Sequence, residues 1–204
     1  MDRERVPPVP FDWDRDRDQV VVLHGVTWPH YVALSDARGE SSRPLFAYLD
    51  GDLEIVTTSR GHEFIKTLLA RLVETYAEEM NLRLNGLGET TWRNKARRAG
   101  LEADECYTVR KKRKVPDLAI EVVLTSGGVD KLEIYRRLGV REVWFWINAR
   151  VYVYRLNGKY KEVQASVALP GIDLDALARI IAVADEDEQT EAVRAYRKSL
   201  RKRA

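Results

Sequence analysis

The chain has 204 residues, 45% of them hydrophobic and 32% charged, which suits one globular domain with elaborations and excludes an intrinsically disordered chain. Thirty-four Lys and Arg nearly balance 32 Asp and Glu, so the net charge of +2 announces no polyanionic partner and any basic footprint must be local. The single cysteine, Cys106, excludes a disulfide framework and a thiolate metal cluster, and the lack of a signal-like or membrane-spanning apolar run predicts a soluble, cytoplasmic protein.

Residues 1–19, charged and carrying Pro7, Pro8 and Pro10, read as a flexible arm, 20–184 as the folded domain and 185–204 as a basic helical tail. Trp28 to Ala37 suits a short helix. "LFAYLDGDLEIV" then sets Asp50-Gly51 between two alternating runs, the mark of a tight hairpin. Behind Ser59, a good N-cap, Phe64, Ile65, Leu68, Leu69, Leu72, Val73, Tyr76 and Met80 recur at helical spacing. His62 and Glu63 fall in the first turn of that helix, where the dipole alone already favours an acid.

Asn85-Gly86 predicts a turn, Asn94 to Gly100 a charged connector, and "DECYTV" from Asp104 a strand. A basic run, Arg110 to Lys114, leads into "VPDLAIEVV", and two short strands joined by a short polar loop make an antiparallel hairpin. Thr125 to Gly128 form a loop, Val129 to Leu138 a helix ended by Gly139, and "EVWFWI" an apolar strand. This strand–helix–strand unit predicts two buried, parallel strands. A hairpin at Asn157-Gly158 and a helical stretch from Leu174 to Arg201 complete the chain.

Two carboxylates interrupt the core strand. Asp117, Ala119, Glu121 and Val123 share one face and Leu118, Ile120 and Val122 the other, with Asp117 and Glu121 about 13 Å apart, too far to hold one cation. A hairpin turn centred between Lys112 and Arg113 supplies Glu121 with a nearer companion. It sets Asp104 opposite Glu121, Cys106 opposite Ala119 and Tyr107 opposite Leu118, and a slip of one residue would mix acids with core. Directly opposed residues have Cβ atoms about 4.5–5.5 Å apart, within shared reach of a divalent ion. Oxygen ligands favour Mg²⁺ or Mn²⁺, and Lys131, in the first turn of the next helix, starts near the same strand end. Asp, Glu and Lys around a hard cation form a phosphodiester-cleaving arrangement. The plainer reading makes Asp104 and Asp117 turn-proximal acids and Lys131 a solvated helix residue.

The ordered segments "AYLDGDLEI", "GHE", "GETTWR", "EADECYTV", "PDLAIEVV", "DKLEIYRRLGVREVWFW" and "LPGIDL" resemble the Uma-type restriction endonucleases of the PD-(D/E)XK nuclease superfamily, from about Val21 to Tyr196. The resemblance implies an α/β (α+β) restriction-endonuclease-like core, a central mixed sheet flanked by helices. It implies Asp104 and Glu121 as catalytic metal ligands, Lys131 as the catalytic lysine supplied from the helix, and Mg²⁺ or Mn²⁺ as cofactor. Val123 stands where the superfamily usually has that lysine, and Ala103 where a proline commonly precedes the aspartate. Glu63 is the candidate third ligand. His62 and Glu54 are possible accessory residues, as is Asp117, which the spacing keeps from direct metal contact. DNA is the implied partner and a homodimer the implied assembly.

Among the basic segments Arg93 to Arg98, Arg110 to Lys114 and Arg194 to Arg203, the turn residues Arg110, Lys111, Lys112, Arg113 and Lys114 are the preferred DNA contacts, because they adjoin the acid-bearing hairpin. Trp144 and Trp146 read as core. The chain therefore reads as a Mg²⁺-dependent DNA endonuclease. The alternative is a nuclease-fold protein that binds nucleic acid or protein partners without cleaving.

Overall fold

In the computed structural model, residues 17–202 are described apart from 40, 42, 89, 112 and 126, so most of the proposed N-terminal arm lies outside the described residues. Asp50 and Gly51, both at positive φ (51° and 113°), turn the chain between β2 (Leu45–Leu49) and β3 (Asp52–Thr57) as their sequence requires. These strands centre a five-stranded antiparallel sheet with β1 (Gln19–Leu23), β5 (Thr91–Asn94) and β6 (Ala99–Glu102), in the order β1-β3-β2-β6-β5.

A second sheet has six strands: β4 (Leu84–Gly86), β7 (Glu105–Val109), β8 (Leu118–Val123), β9 (Glu142–Ile147), β10 (Arg150–Asn157) and β11 (Lys159–Val163), in the order β11-β10-β9-β8-β7-β4. It is mixed because β8 and β9 run parallel, joined by the crossover helix α3 (Lys131–Leu138), while its other neighbours are antiparallel. Gly139 closes α3 in the left-handed conformation, φ 85°. With α1 (Trp28–Ala37), α2 (Arg60–Glu79), α4 (Leu174–Val183) and α5 (Gln189–Arg201), this is a mixed α+β architecture of sheets flanked by helices, consistent with a restriction-endonuclease-like core.

Alternation along β8 divides the interior. Leu118, Ile120 and Val122 join Trp144 and Trp146 against the apolar stripe of α2. Ala119 and Val123 join Phe145 against Ile134 and Tyr135 of α3 and Ala99 and Leu101 of β6. Each fully buried Leu or Ile contributes about 1.5–3 kcal/mol, so the register that keeps these faces apart is strongly specified.

Three expectations differ from the structure. Asn85-Gly86 is no turn: it lies within β4, which pairs with β7 at Leu84–Val109, Asn85–Thr108 and Gly86–Tyr107. The connector Asn94 to Gly100 is mostly structured, with a short helical turn at Lys95–Arg97 followed by the buried strand β6. A Cβ at Gly100 would fall 2.6 Å from the Tyr31 hydroxyl, which accounts for a glycine inside a strand. The helical stretch from Leu174 to Arg201 breaks between α4 and α5. α5 docks on α2 through buried Tyr196 and Leu200, with Arg197 paired to Glu78 and Glu79, and Arg201 to Glu79. No helix among the described residues is long and apolar enough to cross a membrane.

Candidate active site

The β7–β8 pairing has Glu105 opposite Ile120, Cys106 opposite Ala119 and Tyr107 opposite Leu118; continued by one pair, it sets Asp104 opposite Glu121. Both acids are buried, 1% and 0% exposed. Asp104 Oδ2 accepts from the Val122 N–H at 2.7 Å, and Oδ1 lies 3.1 Å from His62 Nε2. His62 Nδ1 in turn meets Asp18 Oδ2 at 2.8 Å, and Asp18 Oδ1 accepts from the Ser59 N–H that opens α2. Glu121 Oε2 accepts from Lys131 Nζ at 2.8 Å, and Oε1 from the Tyr135 hydroxyl one turn along α3.

A carboxylate on each ring nitrogen makes His62 an imidazolium. Burial pushes its pKa down, but Asp104 and Asp18 outweigh it and lift the value to about 10. Lys131 shows the same balance: burial disfavours the ammonium, while Glu121, Asp104 and Glu54 together hold its pKa above the usual lysine value. Burial raises the Glu121 pKa, with help from Asp104 and against Lys131 and Tyr135. For Asp104 burial is overcome by His62, Lys131 and the Val122 N–H, and the pKa falls.

Glu54, 1% exposed on β3, reaches the same region. Its Oε2 accepts from the N–H groups of Gly128 and Val129 at 2.7 and 3.2 Å, fixing the loop that delivers Lys131. A Cβ at Gly127 would sit 2.2 Å from that oxygen, so only glycine admits this approach. Asp18, Glu54, His62, Asp104 and Lys131 line a cavity of about 330 Å³, walled by Val122, Phe145, Ile147 and Tyr154.

The donor set suits a hard divalent cation. Four buried carboxylates, of Asp18, Glu54, Asp104 and Glu121, face two cationic side chains, His62 and Lys131, which leaves negative charge uncompensated when all are ionised. Among the described residues no group of three His, Cys, Asp or Glu side chains is placed to hold an ion. An ion here would take the Asp104–Glu121 pair and complete its shell with water and phosphate oxygens, as Mg²⁺ commonly does.

Glu63, the expected third ligand, is not brought to this cluster. One residue along α2 from His62 it points about 100° away, into Arg43, Thr58 and Lys66. Those three overcome partial burial and hold its pKa down to about 2. Asp117 lies at the other end of β8, where it accepts from the Val109 N–H and pairs with Arg113 and Arg141. The basic run shares that end. Arg110, Lys111, Arg113 and Lys114 adjoin the hairpin, but at its turn, four residues of β8 and about 13 Å from Glu121. Lys112 lies outside the described residues. Cys106 is buried with its thiol pKa raised by burial, and donates to the Gly88 carbonyl.

Sequence reasoning missed two groups. Tyr135 stands four residues after Lys131 on the same helical face, a spacing that could have found it. Asp18 sits in a charged stretch with no local signal and meets His62 only through the fold. Residues 28–184 match the family model of Uma2, described as "Putative restriction endonuclease", a span that leaves Asp18 and β1 outside it. No curated protein matches the chain.

Proposed function

We propose that this chain, which belongs to the Uma2 family, is a DNA endonuclease in which Asp104 and Glu121 hold a Mg²⁺ or Mn²⁺ ion and Lys131 stands beside the scissile phosphate. The observation that carries this reading is the facing pair of fully buried acids with a lysine ammonium 2.8 Å from one of them. When bound, the ion would polarise a phosphate oxygen and acidify a water.

The remaining roles belong to the chain. The Val122 N–H and His62 fix both oxygens of Asp104, and Asp18 fixes His62. Tyr135 and Lys131 orient Glu121. The Lys131 side chain is 21% exposed and lines the cavity, so its ammonium can turn from Glu121 toward a phosphate oxygen and stabilise the charge that develops there. Glu54 holds the loop before it. A homodimer would bring two such sites to two strands, and sedimentation of the chain with and without duplex DNA tests that assembly.

One observation favours the second reading, a nuclease-fold protein that binds without cleaving: three oxygens of the acid pair already accept protein hydrogen bonds, and the fourth, Asp104 Oδ1, lies 3.1 Å from His62 Nε2. Supercoiled plasmid and single-stranded DNA incubated with the chain and Mg²⁺ or Mn²⁺ separate the two. Nicking that needs the metal and disappears in Asp104→Asn and Glu121→Gln supports the enzyme. DNA retention without cleavage, falling steeply with salt, supports the binder and overturns the enzyme.

A further inference from the structure

The end of the mixed sheet away from the acids carries a second concavity of about 970 Å³, formed where α2 ends and the β7–β8 turn meets β10. Arg83, Arg110, Lys111, Arg141 and Arg155 converge on it from separate stretches of the chain, and all are exposed. Asp117, on the same wall, is already taken by Arg113, Arg141 and the Val109 N–H. The other acid, Glu142, is turned inward and accepts from Trp144, Ser166, Val167 and Ala168. Among the described residues no ion pair holds Arg83, Arg110, Lys111 or Arg155. A solvated charge run would be contiguous in sequence; these cations are gathered by the fold around one concave surface.

Their floor is apolar. Leu82, Val109, Leu156 and Val167 contribute to it, and Val167 is 53% exposed, unusual for a large hydrophobic residue in this protein. Clefts of this size with an apolar base and a few convergent polar groups suit a small ligand. Cations around an apolar floor fit a ligand with a flat apolar ring and several phosphates.

DNA held at the acids does not reach this cleft along β8. Between Asp117 and Glu121 one face of that strand is covered by α2 and the other by α3 and β6. We propose that the cleft binds a nucleoside polyphosphate, base on the apolar floor and phosphates among the arginines, at a site separate from the acid pair.

The test uses the full chain in EDTA and a fluorescent N-methylanthraniloyl ATP, followed by anisotropy, with unlabelled ATP, GTP, inorganic triphosphate, adenosine and a 20-base-pair duplex as competitors. Saturable binding is expected, with triphosphate and adenosine each competing at least about tenfold less well than ATP. The double variant Arg83→Glu, Arg155→Glu, which removes no ion pair among the described residues, should bind at least about tenfold more weakly while unfolding normally. The proposal is overturned by non-saturable binding, by undiminished binding in that variant, or by triphosphate competing as well as ATP. Loss of binding in Glu121→Gln with retention in the arginine variant would place the nucleotide at the acids and equally overturn it.

Discussion

Replacing His62 with asparagine removes the cation that Asp18 and Asp104 share, and the consequence can be followed with pH. In the folded chain these two carboxylates outweigh burial and lift His62 from 6.5 to about 10. At 1.36 kcal/mol per tenfold change in proton affinity, this linkage is worth about 5 kcal/mol, and at 3% exposure little of it is screened by solvent. Because the folded pKa is raised, the stabilisation is complete below pH 6.5 and is lost as pH climbs toward 10. Urea denaturation in EDTA, which keeps metal out of the balance, should show wild-type stability falling more steeply than that of His62→Asn. The extra slope should approach about 1.4 kcal/mol per pH unit. Leaving two buried carboxylates without their partner should also cost the variant about 3–5 kcal/mol near pH 6.5. If that proves too much for folding, Asp18→Asn gives the same test, with one of the two carboxylates gone and a narrower pH window. Parallel profiles for wild type and both variants would refute an imidazolium held between the two acids.

Other substitutions probe neighbouring contacts. Tyr135→Phe leaves one oxygen of buried Glu121 without its donor and should cost about 1–3 kcal/mol in urea denaturation, with slower cleavage where cleavage is observed. Gly127→Ala drives a methyl into the Glu54 carboxylate and should lower stability by about 1–3 kcal/mol, whereas an alanine at Gly158, with open space around it, meets no neighbour and pays only for its positive φ of 71°. Cys106 should resist Ellman's reagent in the native chain and react fully in denaturant; rapid native labelling would mean that this strand is not packed as described.

The hairpin register was legible because Leu118, Ile120 and Val122 share one face of the strand and Asp117 and Glu121 the other, so that only one pairing keeps the acids of both strands away from the apolar core. The stripe of α2, its Ser59 cap and the Asp50-Gly51 turn were legible for the same local reason. What escaped was long-range. Ala99 to Glu102 is too short and too small to look like a strand, and it becomes one only because β2 and β5 flank it, which is why a separate antiparallel sheet was not foreseen. Glu63 invited a ligand role by following His62, but the helical rotation that turns His62 inward carries Glu63 to Arg43. The basic turn adjoins the acid-bearing hairpin at the end away from Glu121, a distinction that depends on which end of β8 holds that acid and not on chain proximity.

Soaking crystals of the chain with Mn²⁺ and measuring anomalous scattering tests the proposed metal site most directly. One peak should lie between Asp104 and Glu121, within about 2.0–2.6 Å of an oxygen of each, and should vanish in the Asp104→Asn, Glu121→Gln double variant. Density elsewhere, or none while both carboxylates keep their bonds to Val122, His62, Tyr135 and Lys131, would contradict a metal-dependent nuclease at this site.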